Sequence, residues 1–347
     1  MAGRCFAVCS DPVTFRQHGY CPRMVWKRWL LPLGVIVLAG LYLILPAILL
    51  RWHLDQLVFT SSRSATTHEA QRFETSVGVD TTVLIRRYGA PSGRCAYFFP
   101  GQHGGMGTYE RTLFPFLLES GTTIYAISYP GQDGARGRSH LVQLPDQVET
   151  AIRFVARTAG CEAGQRIFVG RSFGATVALL EAERLHPEGV IVDGLGADLA
   201  VVVRAWIARH TIFWGWQFLP IERILAAQRY AVGPMLTKLA PTPVAVFQGA
   251  ADTVTPFSAA QAVASRHANV MFYPVAGGRH ENSYVLARTA YLEVLHRMLA
   301  SPRTHVVEHL ALSNRSISAT YRAPLNRPHR QSDRALLGQK GDAGMRC

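Results

Sequence analysis

Seven short β-prone runs alternate with helix-compatible stretches between residues 81 and 300, and this alternation restricts the fold more than any other feature of the chain. The runs are 81–90, 95–101, 122–131, 166–170, 189–196, 243–249 and 269–275; the stretches between and after them are 107–120, 143–158, 173–186, 257–267 and 283–300. Several runs, such as CAYFFPG and NVMFYPV, are apolar without interruption. Such strands must be covered on both faces, as in a parallel sheet. A helix between successive strands supplies the crossover that parallel pairing needs. The expectation is an α/β domain over 73–300 with a doubly wound, mostly parallel sheet. Residues 199–240 break the alternation and carry Trp206, Phe213, Trp214, Trp216 and Phe218. They are expected either as further core helix or as a cap inserted over a cleft, its aromatics lining an apolar pocket.

Ahead of that domain, Trp29–Leu50 is a stretch of 22 residues without a charge. Roughly 20 apolar residues cross a hydrocarbon core of about 30 Å, so this one is long enough to span as a helix. Arg4, Arg16, Arg23, Lys27 and Arg28 precede it, whereas Arg51 and Arg63 are the only basic residues among the twenty that follow. Basic flanks stay cytoplasmic. The expected organisation is a cytoplasmic tail (1–28), a single transmembrane helix (29–50), a linker (51–72) and an extracytoplasmic, periplasmic main domain. A cleaved signal peptide and a reversed orientation with a cytoplasmic domain are the alternatives; the apolar region of a signal peptide is shorter, about 7–15 residues, and ends at a small-residue site that is not evident here. Of the 36 basic residues only Lys27, Lys238 and Lys340 are lysines, a bias that points to a G+C-rich bacterial source.

The formal net charge of +13 is misleading as a guide to partners. Residues 1–28 hold five basic and one acidic side chain and residues 301–347 hold eight and three, so only +4 belongs to everything between. A nucleic-acid surface needs its cations clustered on a folded face, and here they sit in tails. No nucleic-acid partner is expected. The final segment, 301–347, is basic and aperiodic and is read as a mostly disordered tail. Cys5, Cys9 and Cys21 follow no zinc-ligand spacing. Neither a metal-ligand cluster, a P-loop nor a dinucleotide fingerprint occurs, and no cofactor is expected.

The stretch FVGRSFGATVALL, residues 168–180, holds a G-x-S-x-G pentapeptide centred on Ser172, preceded by a strand-like run and followed by a helix-like one. In that context the glycines permit close packing and the tight turn exposes the serine oxygen above the sheet. A serine hydroxyl becomes a nucleophile only when a base takes its proton, and the base is held in one tautomer by a carboxylate. Two later strand exits offer those partners. PVAVFQGAADTVTP places Asp252 on a glycine turn, and NVMFYPVAGGRHENS places His280 after a two-glycine turn. Asp193 and Asp198, after the preceding strand, stand as alternative acids.

On these residues, from about Phe73 to Ala300, the chain resembles the α/β-hydrolase superfamily. The resemblance implies an oxyanion hole built from two backbone N–H groups. The residue after the nucleophile, Phe173, supplies one, and the FFPGQHGGMG loop supplies the other from Gln102, with His103 as the alternative. The segment YPGQDGARGRS resembles the family's turn after the fourth strand, departing from it at Gln132 and Asp133. The fold also implies that Cys95 and Cys161 lie near neighbouring strands, where an oxidising compartment would allow them to pair. The implied activity is hydrolysis of an ester, thioester or lipid-like acyl bond beside the membrane, with a small acyl compound as substrate. A peptidase of the same fold and a catalytically silent membrane scaffold stand as alternatives, and the sequence sets no oligomeric state.

Overall fold

In the computed structural model, which describes residues 22–59, 70–159, 161, 166–226 and 230–300, eight strands form one sheet. They are β1 (Gln71–Gly78), β2 (Thr81–Tyr88), β3 (Cys95–Phe99), β4 (Thr123–Ser128), β5 (Arg166–Arg171), β6 (Gly189–Asp193), β7 (Val244–Gly249) and β8 (Val270–Val275). The spatial order is β1-β2-β4-β3-β5-β6-β7-β8. β1 pairs with β2 and β2 with β4 antiparallel, whereas every pairing from β4 to β8 is parallel.

Successive strand side chains point to opposite faces, and the two cores divide accordingly. Tyr97, Phe99 and Phe168 join the core beneath helices Leu144–Ala159 and Phe173–Leu185. Ala96, Phe98, Ile167 and Val169 join the core beneath Met106–Thr112, Phe114–Glu119 and Arg288–Ala300. The sheet is therefore doubly wound, as the apolar runs predict. β1 has no counterpart among those runs: its residues alternate between exposed and half-buried, an edge strand covered on one face only. Sγ atoms of Cys95, at the start of β3, and Cys161 form a disulfide.

The N-terminal helix runs Pro22–Trp52, beyond both ends of the uncharged stretch. Its Leu30–Trp52 part is long and apolar enough to cross a membrane. Residues 51–72 are not a uniform linker. A short helix, Leu54–Val58, follows the long one, and Leu50, Leu54 and Val58 are buried with Ala200, Ile207 and Ile221. Asp55 ties the segment down further, accepting from the Leu141 amide (2.8 Å) and lying 2.9 Å from His140 Nδ1. The segment expected as a linker thus includes an anchoring carboxylate. Residues 1–21, 60–69 and 301–347, which include most of the N-terminal tail and all of the C-terminal one, lie outside the described residues.

Between β6 and β7 the chain forms a helical insertion comprising Leu199–Ala208, the 3₁₀ turns Thr211–Phe218, and the short helices Ile221–Ile224 and Val232–Lys238. The break in alternation marks this excursion.

Candidate active site

The carboxyl ends of the parallel strands converge on one edge, where open α/β sheets place their ligands. β5 ends at Arg171 and the helix Phe173–Leu185 begins two residues later, leaving Ser172 alone in the turn at φ 56°, ψ −123°. A non-glycine residue with positive φ is strained, and here the strain lifts the side chain above the sheet. Close packing around the turn holds it. A Cβ on Gly174 would collide with the carbonyl oxygens of Phe99 and Pro100, and one on Gly170 would lie 2.7 Å from the Ala175 Cα. Both outer glycines of the pentapeptide are therefore required where strand, helix and the loop after β3 meet.

Asp252 leaves β7 and His280 leaves β8, and both come to Ser172. His280 Nε2 is 2.8 Å from Ser172 Oγ, and its Nδ1 is 2.8 Å from Asp252 Oδ2. With the carboxylate accepting, Nδ1 carries the proton and Nε2 accepts from the serine hydroxyl. The Asp252 side chain is fully buried and His280 keeps 16% of its side chain exposed. Burial alone would raise the Asp252 pKa, but hydrogen bonds from His280 and Thr255 outweigh it and hold the carboxyl below its usual range. The amides of Val254 and Thr255 each donate to Oδ1 at 2.8 Å, and Thr255 Oγ1 donates to Oδ2 at 2.7 Å.

The alternative acids have other work. Asp198 caps the helix Leu199–Ala208, accepting from the Ala200 amide at 2.7 Å. Asp193, at the end of β6, accepts from Ser283 Oγ at 3.0 Å and lies 3.5 Å from Arg171 Nε. Burial pushes its pKa up to about 6 despite that guanidinium. Arg171 in turn donates to the carbonyl oxygen of His280 and lies over the Tyr284 ring, 4.8 Å from its centre. This buried Asp193–Arg171–His280 connection was not foreseen: Arg171 occupies a variable position of the pentapeptide, and only its unusual placement at a buried strand end hints at a role.

The loop after β3 lies beside the serine. Gly101 approaches the Ser172 side chain, and the Gln102 carbonyl accepts from Gln132 Nε2. Asp133 accepts from the Gly105 amide at the start of the helix Met106–Thr112, with its Oδ2 at 3.0 Å. Gln132 and Asp133 thus brace this loop. The Gln102 and Phe173 amides donate to no backbone oxygen among the described residues. Gln102 Nε2 lies 3.0 Å from His103 Nε2.

A pocket of about 310 Å³ opens over these groups, lined by Gln102, His103, Ser172, Phe173 and His280, with Leu199, Val202 and Tyr230 from the insertion. The insertion does cover the cleft, but not with its expected aromatics. None of Trp206, Phe213, Trp214, Trp216 and Phe218 lines the pocket. Phe213 instead packs against Trp206 and Trp216, with ring centres 4.9 and 4.3 Å apart, while Trp214 and Phe218 are 67% and 70% exposed. Aromatic content marked an excursion from the sheet without revealing which way its side chains face.

Comparison with known proteins agrees with this architecture. A family model described as "Alpha/beta hydrolase family" matches residues 97–324. No curated protein matches the chain. An esterase structure from Pyrococcus furiosus aligns with a TM-score of 0.56 at 13% identity, covering 70% of this chain and 96% of that one. A bromoperoxidase structure from Bacillus anthracis aligns with a TM-score of 0.50 at 14% identity, covering 67% of this chain and all of that one. Identities this low speak for the fold alone.

Proposed function

The chain belongs to the alpha/beta hydrolase family and is a hydrolytic enzyme; from that premise we propose that it cleaves an ester, thioester or lipid-like acyl bond through a Ser172 acyl-enzyme. The observation that carries the reading is the continuous relay from Ser172 Oγ to His280 Nε2 and from His280 Nδ1 to Asp252, each contact 2.8 Å. As Ser172 Oγ attacks the acyl carbon, His280 Nε2 takes its proton, and the buried, ionised Asp252 stabilises the resulting imidazolium. Negative charge moves to the former carbonyl oxygen. The Gln102 and Phe173 amides donate to that oxygen in the pocket, and losing one such donor typically costs about 2.7–4 kcal/mol of transition-state stabilisation. His280 then returns its proton to the departing alkoxide or thiolate. Water repeats the sequence on the acyl-enzyme and frees Ser172.

Phe173, Leu199, Val202 and Tyr230 around the pocket favour an apolar acyl group over a charged peptide. A fluorophosphonate probe is the test: it should label the wild type and leave Ser172→Ala unlabelled, while p-nitrophenyl acyl esters are hydrolysed faster than aminoacyl-proline amides. Absence of labelling in a folded wild type refutes the enzyme reading, and a preference for the amides refutes the acyl-ester reading.

Leu30–Trp52 serves in this reading as a single-pass anchor, with residues 1–28 cytoplasmic and the hydrolase domain, 73–300, on the extracytoplasmic side. The basic flank before the helix supports that orientation. The Cys95–Cys161 bond supports it independently, because disulfides persist in oxidising compartments.

A further inference from the structure

We propose that the tip of the insertion, Thr211–Phe218, is seated inside the domain-side leaflet of the bilayer that the N-terminal helix spans. The inference rests on the anchor reading above and adds a second membrane contact to it. Three large apolar side chains of the tip, Ile212, Trp214 and Phe218, are 72%, 67% and 70% exposed. Large contiguous apolar surface on an otherwise well-packed domain marks an interaction site.

The occupant follows from where the tip is fastened. Tyr42 Oη donates to the Ile212 carbonyl at 2.7 Å and accepts from the Gly215 amide at 3.2 Å, while Trp216 Nε1 donates to the Tyr42 carbonyl at 3.1 Å. Tyr42 lies ten residues before Trp52, the end of the long helix. At about 1.5 Å per residue that is about 15 Å below the helix end. Against a hydrocarbon core of about 30 Å, groups bonded to Tyr42 lie within the leaflet rather than above it. A tip pinned at that height cannot be in water while the helix spans.

The polar groups are arranged for that placement. A hydroxyl or backbone amide in hydrocarbon must find a protein partner, and the Tyr42 hydroxyl, the Gly215 amide and the Trp216 indole do so in one another's neighbourhood. Charge is held back at the base of the tip. Arg204 grips Glu222 through two contacts of 2.6 and 2.7 Å and also donates to the Gln217 carbonyl at 3.1 Å, and Arg209 donates to the Thr253 carbonyl. Beside the tip, a groove of about 630 Å³ separates helix from insertion. Its apolar walls include Ile44, Ile48, Leu219 and Ile224, and it also carries Arg51 and Arg223. Arg51, one residue before the end of the long helix, lies at the height of phospholipid phosphates, which are its natural counter-ions. Apolar walls continuing toward guanidinium groups match an acyl chain below a headgroup.

The test uses the full chain in lipid nanodiscs of phosphatidylcholine and phosphatidylglycerol. Cys5, Cys9, Cys21 and Cys347 are replaced by serine, and a polarity-sensitive nitrobenzoxadiazole label is placed on Trp214→Cys. Arg266→Cys serves as control: Arg266 is exposed beside the start of β8, at the sheet edge opposite Ser172. Seating predicts a blue-shifted label at 214, quenched by acyl-chain-brominated lipid and shielded from aqueous iodide, with the opposite pattern at 266. Equal iodide quenching at the two positions overturns the proposal. If Trp214→Cys fails to fold, Phe218→Cys gives the same reading. Resistance to alkaline carbonate extraction reports the anchor separately, and fluorophosphonate labelling of Ser172 reports the hydrolase reading. An anchored, labelled chain with an iodide-accessible tip therefore refutes the seating alone, whereas an extractable chain refutes the seating together with the anchor.

Discussion

Glu181 provides a quantitative check on the packing behind the nucleophile. It lies on the helix Phe173–Leu185, fully buried, and neither carboxyl oxygen has a hydrogen-bond partner. Burial pushes its pKa up to about 9; Arg184 opposes the shift, and Glu149 and Asp146 add to it. The folded chain therefore keeps the group protonated at neutral pH, whereas the unfolded chain ionises it near pH 4.5, the unperturbed value. Because the folded pKa is raised, the associated stability is fully present below about pH 4.5 and is lost progressively up to about pH 9. Each unit in that window costs about 1.4 kcal/mol, so folding at pH 7 carries a penalty of about 3 kcal/mol that a non-ionisable side chain avoids. Glu181→Gln should therefore equal the wild type near pH 4 and exceed it by up to about 3 kcal/mol at pH 7. Glu181→Met, with no buried polar atoms to leave unpaired, should gain at least as much. Urea unfolding of the detergent-solubilised chain between pH 4 and 8 measures the difference. Parallel stability curves for wild type and Glu181→Gln would mean that the carboxyl reaches water or a cation in the folded state, and the packing described here would be wrong.

Two further predictions concern the site and its support. Asp252→Asn should fold normally yet lose roughly 10³–10⁴ of kcat on a p-nitrophenyl ester, because an amide cannot hold the same His280 tautomer or stabilise the imidazolium; a loss under tenfold assigns the acid to another residue. Reducing the bond between Cys95 and Cys161, which are 66 residues apart, should lower unfolding free energy by about 4 kcal/mol on chain-entropy grounds. Urea midpoints with and without reductant measure that loss, and coincident curves argue against a bridge in the native protein.

What could be read in advance was what the strands impose. Continuous apolar runs require a sheet covered twice, and strand exits fix where loop residues gather, so Ser172, Asp252 and His280 could be named before their 2.8 Å contacts were known. β1 escaped because an edge strand buried on one face needs only every second residue to be apolar, and QRFETSVG carries a polar residue at most positions. Arg171 escaped for a different reason: its grip on the His280 carbonyl joins positions 109 residues apart, and no local pattern encodes such a pair. The same limit explains the insertion. Trp214 and Trp216 are two residues apart, yet one is largely exposed while the other donates to the Tyr42 carbonyl and packs on Phe213. Hydropathy assigns both to an interior; only the position of the long helix, which meets Trp216 through the Tyr42 carbonyl, separates the covered ring from the exposed one. That helix also bears on the pocket, since Leu50 near its end and Leu54 and Val58 of the short helix that follows form a cluster against which Phe173 packs, its ring 5.3 Å from Phe59. The segment that leaves the proposed membrane span thus packs against Phe173, the residue after Ser172 and part of the pocket lining, so a shift in how the helix sits has a route to the pocket that does not pass through the sheet.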